Sequence, residues 1–307
     1  MGQVSAERAT RVGIDIGATK TLGVAVGPGG RVLAEVLATT PTGAEEVVAT
    51  AGAVVDELRA RTGDPLTGTL GVGIPGLVDA GRGAVTHAVN LGVDDEWFPI
   101  GDRLARRTGA RVVVDNDVNA AALGVAAVTG LRDLVYVSLG TGLAAAAVLD
   151  GHLRRGAAGA AGEIGHIPVD PAGRRCQCGQ TGCLETEASG SALAEAWPAT
   201  DVPPAQALFE AAAAGDVKAV QVRDRFAARV ADAVRLVTLA VDPAHVVLGG
   251  GVAQVGDRLR VAVAHALAEQ AAGSPFLRAL DLPGRLRTVP TDVPVAALGA
   301  SLLGSER

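Results

Sequence analysis

Short apolar runs alternate with helical stripes along this chain, and their order predicts an α/β protein. "RVGIDIG" (11–17) reads as a buried strand closed by a glycine turn. "TLGVAVG" (21–27) and "RVLAEVLAT" (31–39) continue as strands, with "PGG" as the tight turn between them. "GAEEVVATAGAVVDELRART" (43–62) has the period of a helix, acidic at its start and basic at its end, as the helix dipole favours. "GTLGVGIPG" (68–76) and "ARVVVDND" (110–117) are further strands, and "VNAAALGVAAVTG" (118–130) is a helix with a glycine stop. Beyond residue 190 the pattern is mostly helical. "ALAEAW", "PAQALFEAAAAG", residues 216–241 and "GDRLRVAVAHALAEQAAG" all read as helices. "AHVVLGGGVA" (244–253) is a strand entering a glycine triplet, and "VPVAALGASLLGSE" is a closing helix.

An internal repeat lies across this pattern. "GIDIGATKTLGVAV" begins at 13 and "YVSLGTGLAAAAVL" at 136, an offset of 123. Asp15 then aligns with Ser138, Gly17 with Gly140 and Val26 with Leu149. A repeat this long points to two related domains, because solenoid repeats span only about 20–50 residues. Two tight-turned hairpins could hold a polyphosphate from both sides. The expected organisation is a polar lead (1–10), an N-terminal α/β domain (11–117), a C-terminal α/β domain (118–290), and a closing helix (291–307) that returns to the first domain.

Composition narrows the class. Hydrophobic residues make up 49% of the chain, enough for sizeable cores, and these are mostly Ala, Val and Leu with few aromatics. The net charge is −6 without a block of like charges, and arginines such as those of "RLARRTGAR" are scattered. That balance argues against a nucleic-acid partner, which needs a basic stripe or stacking aromatics. No run of 18 apolar residues and no signal-like leader occurs, so a protein without membrane attachment in the cytoplasm is expected.

Three cysteines are present, and all lie in "GHIPVDPAGRRCQCGQTGCLE" (165–185). His166, Cys176, Cys178 and Cys183 form H-x9-C-x-C-x4-C. Three thiolates and one imidazole make a closed tetrahedral set for a structural zinc ion, with no open position for catalysis. Three free thiols are the alternative, but isolated cysteines usually pack in cores, and these stand among Arg, Gln and Gly. Glu163 lies three residues before His166, and Glu185 two after Cys183. A metal in the 166–183 loop would hold these two carboxylates beside an imidazole, an arrangement that suits the vicinal hydroxyls of a sugar.

Taken together, "GIDIGATK", "DNDVNAAALG", "GEIGH", the cysteine loop ending "GCLE", "DPAHVVLGGGVA" and "ALGASLLG" resemble the ROK family of sugar kinases and sugar-responsive repressors. The resemblance covers nearly the whole chain. It implies the actin-like ATPase (ribonuclease H-like) fold, with two α/β domains around a nucleotide and sugar cleft that closes on sugar binding. It places Asp15, Gly17, Thr19 and Lys20 at a first phosphate loop, Gly140, Thr141 and Gly142 at a second, and Gly249 and Gly250 at a nucleotide-side loop. Asp117 matches the general base, although aspartate at that point also suits a helix cap. Gly73, Asn90, Asn116, Glu163, His166 and Glu185, with Asp117, match sugar-contacting positions.

The implied activity is transfer of the γ-phosphoryl group of ATP, with Mg²⁺ at the phosphates, to the 6-hydroxyl of a hexose. Glucose is the first expectation; N-acetylmannosamine, N-acetylglucosamine, fructose and allose are alternatives. A homodimer, or a tetramer, is implied as well. A polyphosphate donor fits less well, because relatives of that kind tend to lack the cysteine loop. Departures from the family pattern are Ala144 and Ala146 where glycines are usual, Val125 in place of an acid, and the acidic stretch "NLGVDDEWFPI". The alanines motivate a rival reading as a non-catalytic sugar-binding regulator. A DNA-binding repressor is disfavoured, because about ten residues before the first strand are too few for a helix-turn-helix.

Overall fold

The computed structural model describes residues 10–66, 68–94, 96–289 and 293–304. Residues 1–9 of the expected polar lead and residues 291–292 and 305–307 of the expected closing segment lie outside them. The chain runs β1 (Arg11–Ile16), β2 (Lys20–Val26), β3 (Val32–Thr39), α1 (Ala44–Thr62), β4 (Thr69–Ile74), β5 (Leu77–Asp79), β6 (Ala84–Thr86), α2 (Ile100–Thr108), β7 (Arg111–Asn116) and α3 (Asp117–Thr129). It continues through β8 (Leu134–Leu139), β9 (Leu143–Leu149), β10 (His152–Arg154), α4 (Glu185–Ala188), α5 (Gly190–Ala196), α6 (Pro204–Ala213), α7 (Val217–Val241) and β11 (His245–Gly249). The last elements are α8 (Asp257–Ala271), α9 (Pro275–Ala279), α10 (Leu282–Arg285), β12 (Leu286–Thr288) and α11 (Val295–Ala300).

The chain divides into two compact units. Unit 1 holds the described residues up to Arg132, Gly151–Ala161, and those from Pro294 on; unit 2 holds Asp133–Asp150 and Gly162–Val293. The division therefore differs from a boundary after residue 117. Helix α3 belongs to unit 1 because it packs on α11. A methyl group at Gly299 would collide with the Ala120 carbonyl, and one at Gly124 with that of Val295. Glycine at both positions lets the two backbones touch. That contact joins residues far apart in sequence and leaves no local trace at position 117.

In unit 1 the sheet order is β3-β2-β1-β4-β7. β1, β2 and β3 pair antiparallel, whereas β4 and β7 join β1 in parallel. Helix α1 explains how the layer is sealed. It buries Val47, Val48, Ala51, Val54, Val55 and Leu58 at helical spacing, keeps Glu45 and Glu46 in its first turn, and ends at left-handed Gly63. In unit 2, β8 pairs antiparallel with β9 and parallel with β11, which pairs parallel with β12. The long helix α7, capped by the Asp216 side chain, buries Phe226, Val230, Val234 and Val237 in that unit's core.

Both units thus repeat one plan: a hairpin followed by two parallel strands. The offset of 123 holds for the first strand of each hairpin, Asp15 pairing with Leu22 and Ser138 with Ala144. The second strand is shifted by one. Arg11 faces Val26, but Leu134 faces Val148, so Val26 corresponds to Val148 and not to Leu149. The second turn is one residue shorter, and sequence alignment without gaps cannot register that. Among the described residues, no helix is long and apolar enough to cross a membrane.

Candidate active site and metal centre

Unit 1 gathers its polar residues at the carboxyl ends of three parallel strands, where open α/β sheets usually bind ligands. Asp15 on β1 stands in register with Gly73 on β4, and Gly73 with Asp115 on β7. The chain then turns into α3. Asn116 is the cap of this helix; its Oδ1 accepts from the backbone N–H groups of Val118 at 2.9 Å and Asn119 at 3.3 Å. Asn116 also donates through Nδ2 to the Gly76 carbonyl at 3.1 Å, tying the helix start to the loop after β4. Asp117 is therefore the first helical residue, not the cap, and is half-buried. A methyl group at Gly73 would lie 3.3 Å from the Asp117 Cα and 3.1 Å from the Ala120 Cβ, so glycine there lets α3 start against the sheet.

Burial pushes the Asp15 carboxyl up to about 7, and the nearby negative charge of Asp117 adds to the shift. After Asp15 and Ile16, the four-residue turn from Gly17 to Lys20 is closed by Gly17 N–H donating to the Lys20 carbonyl at 2.9 Å, with Thr19 and Lys20 exposed. Asn90 is exposed on the single turn Val89–Leu91. Two residues that sequence reasoning missed complete this corner. Asp115 is 2% exposed and accepts from Arg155 Nε at 2.6 Å. They lie 40 positions apart, and no motif links them.

In unit 2 the corresponding turn is Gly140-Thr141-Gly142, closed by Gly140 N–H donating to the Gly142 carbonyl at 3.1 Å. It is pinned from the other side. Gly190 N–H donates to the Gly140 carbonyl at 2.7 Å, and Ser191 N–H to that of Thr141 at 3.3 Å. Gly140 and Thr141 line a cleft of about 1040 Å³, together with Ser191, Gln206, Gly251 and Arg258. Gly249 lies under the ring of Tyr136, and Gly250, at φ 83°, against the Leu139 backbone. The third glycine of the triplet, Gly251, is the one on the cleft wall. Which member of a Gly-Gly-Gly run faces outward depends on backbone dihedrals that the letters do not encode.

The four residues of the cysteine loop converge. Ligand atoms of His166, Cys176, Cys178 and Cys183 all lie within 4.8 Å of one another. Two antiparallel bridges, Pro168 with Cys183 and Arg175 with Thr181, fold the loop, and left-handed Gly179 and Gly182 make its turns. Cys178 and Cys183 sulfurs are 3.6 Å apart, and Cys176 Sγ is 3.7 Å from His166 Nδ1. A tetrahedral zinc site with ordinary bond lengths has edges of about 3.8 Å between sulfurs and about 3.6 Å between sulfur and nitrogen. The donor set and its spacing fit a divalent ion of that kind.

Two carboxylates flank this cluster. Glu163 Oε2 is 3.8 Å from His166 Nε2, and Glu185 Oε1 is 3.5 Å from His166 Nδ1 and accepts from Cys176 Sγ at 3.1 Å. Burial pushes Glu163 up; His166 opposes the shift and Glu185 adds to it. The second oxygen of Glu185 reaches the Gly140–Gly142 turn, 2.8 Å from where a methyl group at Gly142 would stand. Glu185 therefore links the cysteine loop to the Gly140–Gly142 turn.

A model of the ROK family matches residues 11–284. The chain belongs to the ROK family. The glucokinase of Halalkalibacterium halodurans is 38% identical over 67% of this chain and 70% of that protein. The glucokinase of Thermotoga maritima is 32% identical over 81% of this chain and 84% of its own. A solved structure, a ROK family glucokinase from Streptomyces griseus in complex with glucose and AMPPNP, is 30% identical. It has a TM-score of 0.82, covering 97% of this chain and 100% of that one. The fold is thus the actin-like ATPase fold of ROK sugar kinases, in agreement with the duplicated sheets described above.

Proposed function

We propose that this ROK protein is an ATP-dependent hexose kinase and that its sugar is D-glucose, converted with ATP to glucose 6-phosphate and ADP. The observation that carries this reading is the likeness, over nearly the full chain, to a ROK glucokinase solved with glucose and an ATP analogue. The chain's own residues support it. A half-buried carboxylate at the first position of α3, beside the glycine gap at Gly73, suits a base for a sugar hydroxyl.

In this reading the 6-hydroxyl attacks the γ-phosphorus in line. Its proton passes to a carboxylate oxygen of Asp117 as the bond from phosphorus to the β,γ-bridging oxygen breaks and ADP leaves. Asn116, Asn90, Glu163, His166 and Glu185 hold the remaining hydroxyls. Backbone N–H groups of the two glycine turns and the Lys20 ammonium receive the phosphates, and the 1040 Å³ cleft lined by Gln206 and Arg258 receives the nucleoside end. Mg²⁺, when bound with ATP, would supply charge neutralisation at the phosphates, and Asp15 would be the carboxylate that holds it. His166, Cys176, Cys178 and Cys183 would hold a structural zinc ion, whose charge would tie their loop together beside Glu163 and Glu185.

A hexose panel at constant ATP and Mg²⁺, read by ADP release, tests this. D-Glucose is expected to give the highest kcat/KM. A larger value for N-acetylmannosamine, N-acetylglucosamine, fructose or allose would move the assignment to that sugar. Binding without turnover for every hexose would replace the kinase by a sugar-binding regulator.

A further inference from the structure

The segment Gly151–Ala161 belongs to unit 1 although the residues on either side of it belong to unit 2. It brings Arg155 to the end of β7. There Arg155 Nε donates to Asp115 Oδ2 at 2.6 Å, with the arginine about one-third exposed and the aspartate nearly sealed. The other oxygen, Oδ1, accepts from the Asn116 backbone N–H at 2.8 Å and from Asn119 Nδ2 at 2.8 Å. Asn116 and Asn119 straddle Asp117, and Asn116 caps the helix that Asp117 opens. One carboxylate thus grips the residue before Asp117 and the residue two after it, and a guanidinium fixes the plane of that carboxylate.

We infer that Arg155 is a positioning residue for Asp117, acting through Asp115 and the cap of α3. Arginine suits the task because its planar guanidinium donates in a fixed direction, whereas a lysine ammonium is a rotatable point charge. The corner also needs a cation. Asp15, Asp115 and Asp117 all stand at the ends of β1, β7 and the start of α3, and Arg155 brings a positive group that pairs with Asp115. Without it Asp115 keeps a buried charge with one partner fewer and no guanidinium to fix its plane, so its hold on Asn116 and Asn119 loosens. The first turn of α3 then loses its fixed register, and the Asp117 carboxylate its aim. The proposal rests on the reading of Asp117 as the base.

The test is a comparison of Arg155→Met, Arg155→Lys, Asp115→Asn and the Arg155→Met/Asp115→Asn pair in the full chain. Two readouts are used: steady-state kinetics with D-glucose, and hydrogen exchange at the Val118 and Asn119 amides. Displacing a reacting group by about 1 Å costs about 100-fold, so Arg155→Met is expected to lower kcat by about that factor while glucose KM changes by less than about threefold. Arg155→Lys should recover part of the loss. The double variant should be little worse than the worse single one, because both act through one path. Exchange at Val118 and Asn119 should quicken in Arg155→Met.

A kcat for Arg155→Met within about twofold of wild type, or single losses that multiply in the double variant, would overturn the inference. Should Arg155→Met not fold, an undiminished kcat in Arg155→Lys together with unchanged amide exchange overturns it. If the wild type transfers no phosphoryl group to any hexose, the kinase reading fails by itself. The exchange data then decide whether Arg155 holds the start of α3.

Discussion

The two hairpins of this molecule share a plan and differ in what they hold. In unit 1 the turn after β1 has four residues, follows Asp15, and presents Thr19 and Lys20. In unit 2 the turn after β8 has three, follows Ser138, and presents Thr141 between two glycines. Each turn is closed by the same bond, from the N–H of its first glycine to the carbonyl of its last residue. Duplication preserved backbone geometry and not side-chain chemistry. The supports differ in the same way. Unit 1 orders its acids with strand register, a helix cap and the Asp115–Arg155 pair, all built from regular elements. Unit 2 places Glu163 and Glu185 around an irregular loop of left-handed glycines and four side chains that could hold a metal ion. A site carried on strands is held by its scaffold, whereas a site carried on such a loop would gain rigidity from a bound ion.

The largest predicted effect falls on unit 1. Asp117→Ala removes the proposed proton acceptor and should lower kcat by about 1000-fold, with glucose affinity within about tenfold of wild type. Turnover near the wild-type value would remove Asp117 from the mechanism and with it the contrast between an acid-bearing half and a metal-bearing half.

The next effect falls on unit 2. Metal analysis should find about one zinc per chain, and Cys178→Ser or chelation should raise glucose KM by about tenfold with a smaller change in kcat. The reason is that Glu163 and Glu185 would lose their common support. Unchanged sugar kinetics in metal-free protein would show that the loop is rigid without an ion.

A smaller effect probes the link between the loop and the turn. Gly142→Ala would set a methyl group 2.8 Å from the Glu185 oxygen, closer than two such atoms can rest. Glucose KM should rise by about three- to tenfold, because a ~1 kcal/mol loss is about fivefold in affinity. An effect on ATP KM alone would place the disturbance in the turn and leave Glu185 out of it.

The smallest concerns pH. Asp15 in the folded chain titrates at about 7 against an ordinary value of 3.8. A carboxyl group raised on folding stabilises the folded state at low pH, and that contribution is lost as pH rises through about 7. Asp15→Asn should therefore leave Tm nearly unchanged at pH 4 and raise it by a few degrees at pH 8. An equal shift at both pH values would mean that Asp15 is not desolvated.

Much of this was legible in the letters, and the exceptions have physical causes. The hairpin repeat, the long helices and the His166–Cys183 cluster rest on local periodicity or on residue types that cluster in sequence. In sequence the stretch "RLARRTG" shows only scattered charge, because α2 is short and buries little beyond Ile100, Leu104 and Thr108. The cap of α3 is Asn116 although Asp117 fits the same rule, since either side chain can reach the free N–H groups and only the packed geometry chooses. The Asp115–Arg155 pair, the Gly124–Gly299 crossing and the outward-facing Gly251 depend on contacts made after folding. Nothing within a few residues of any of them announces the partner.

The central claim is that this chain transfers the γ-phosphoryl group of ATP to a hexose with Asp117 as the proton acceptor. Phosphorus NMR of a mixture of ATP, Mg²⁺ and D-glucose follows that transfer directly, with wild type and Asp117→Ala run side by side. The account predicts glucose 6-phosphate and ADP growing in equal amounts with the wild type, little free phosphate, and no sugar phosphate with the variant. Sugar phosphate formed at comparable rates by both proteins, or free phosphate as the main product of the wild type, would contradict it.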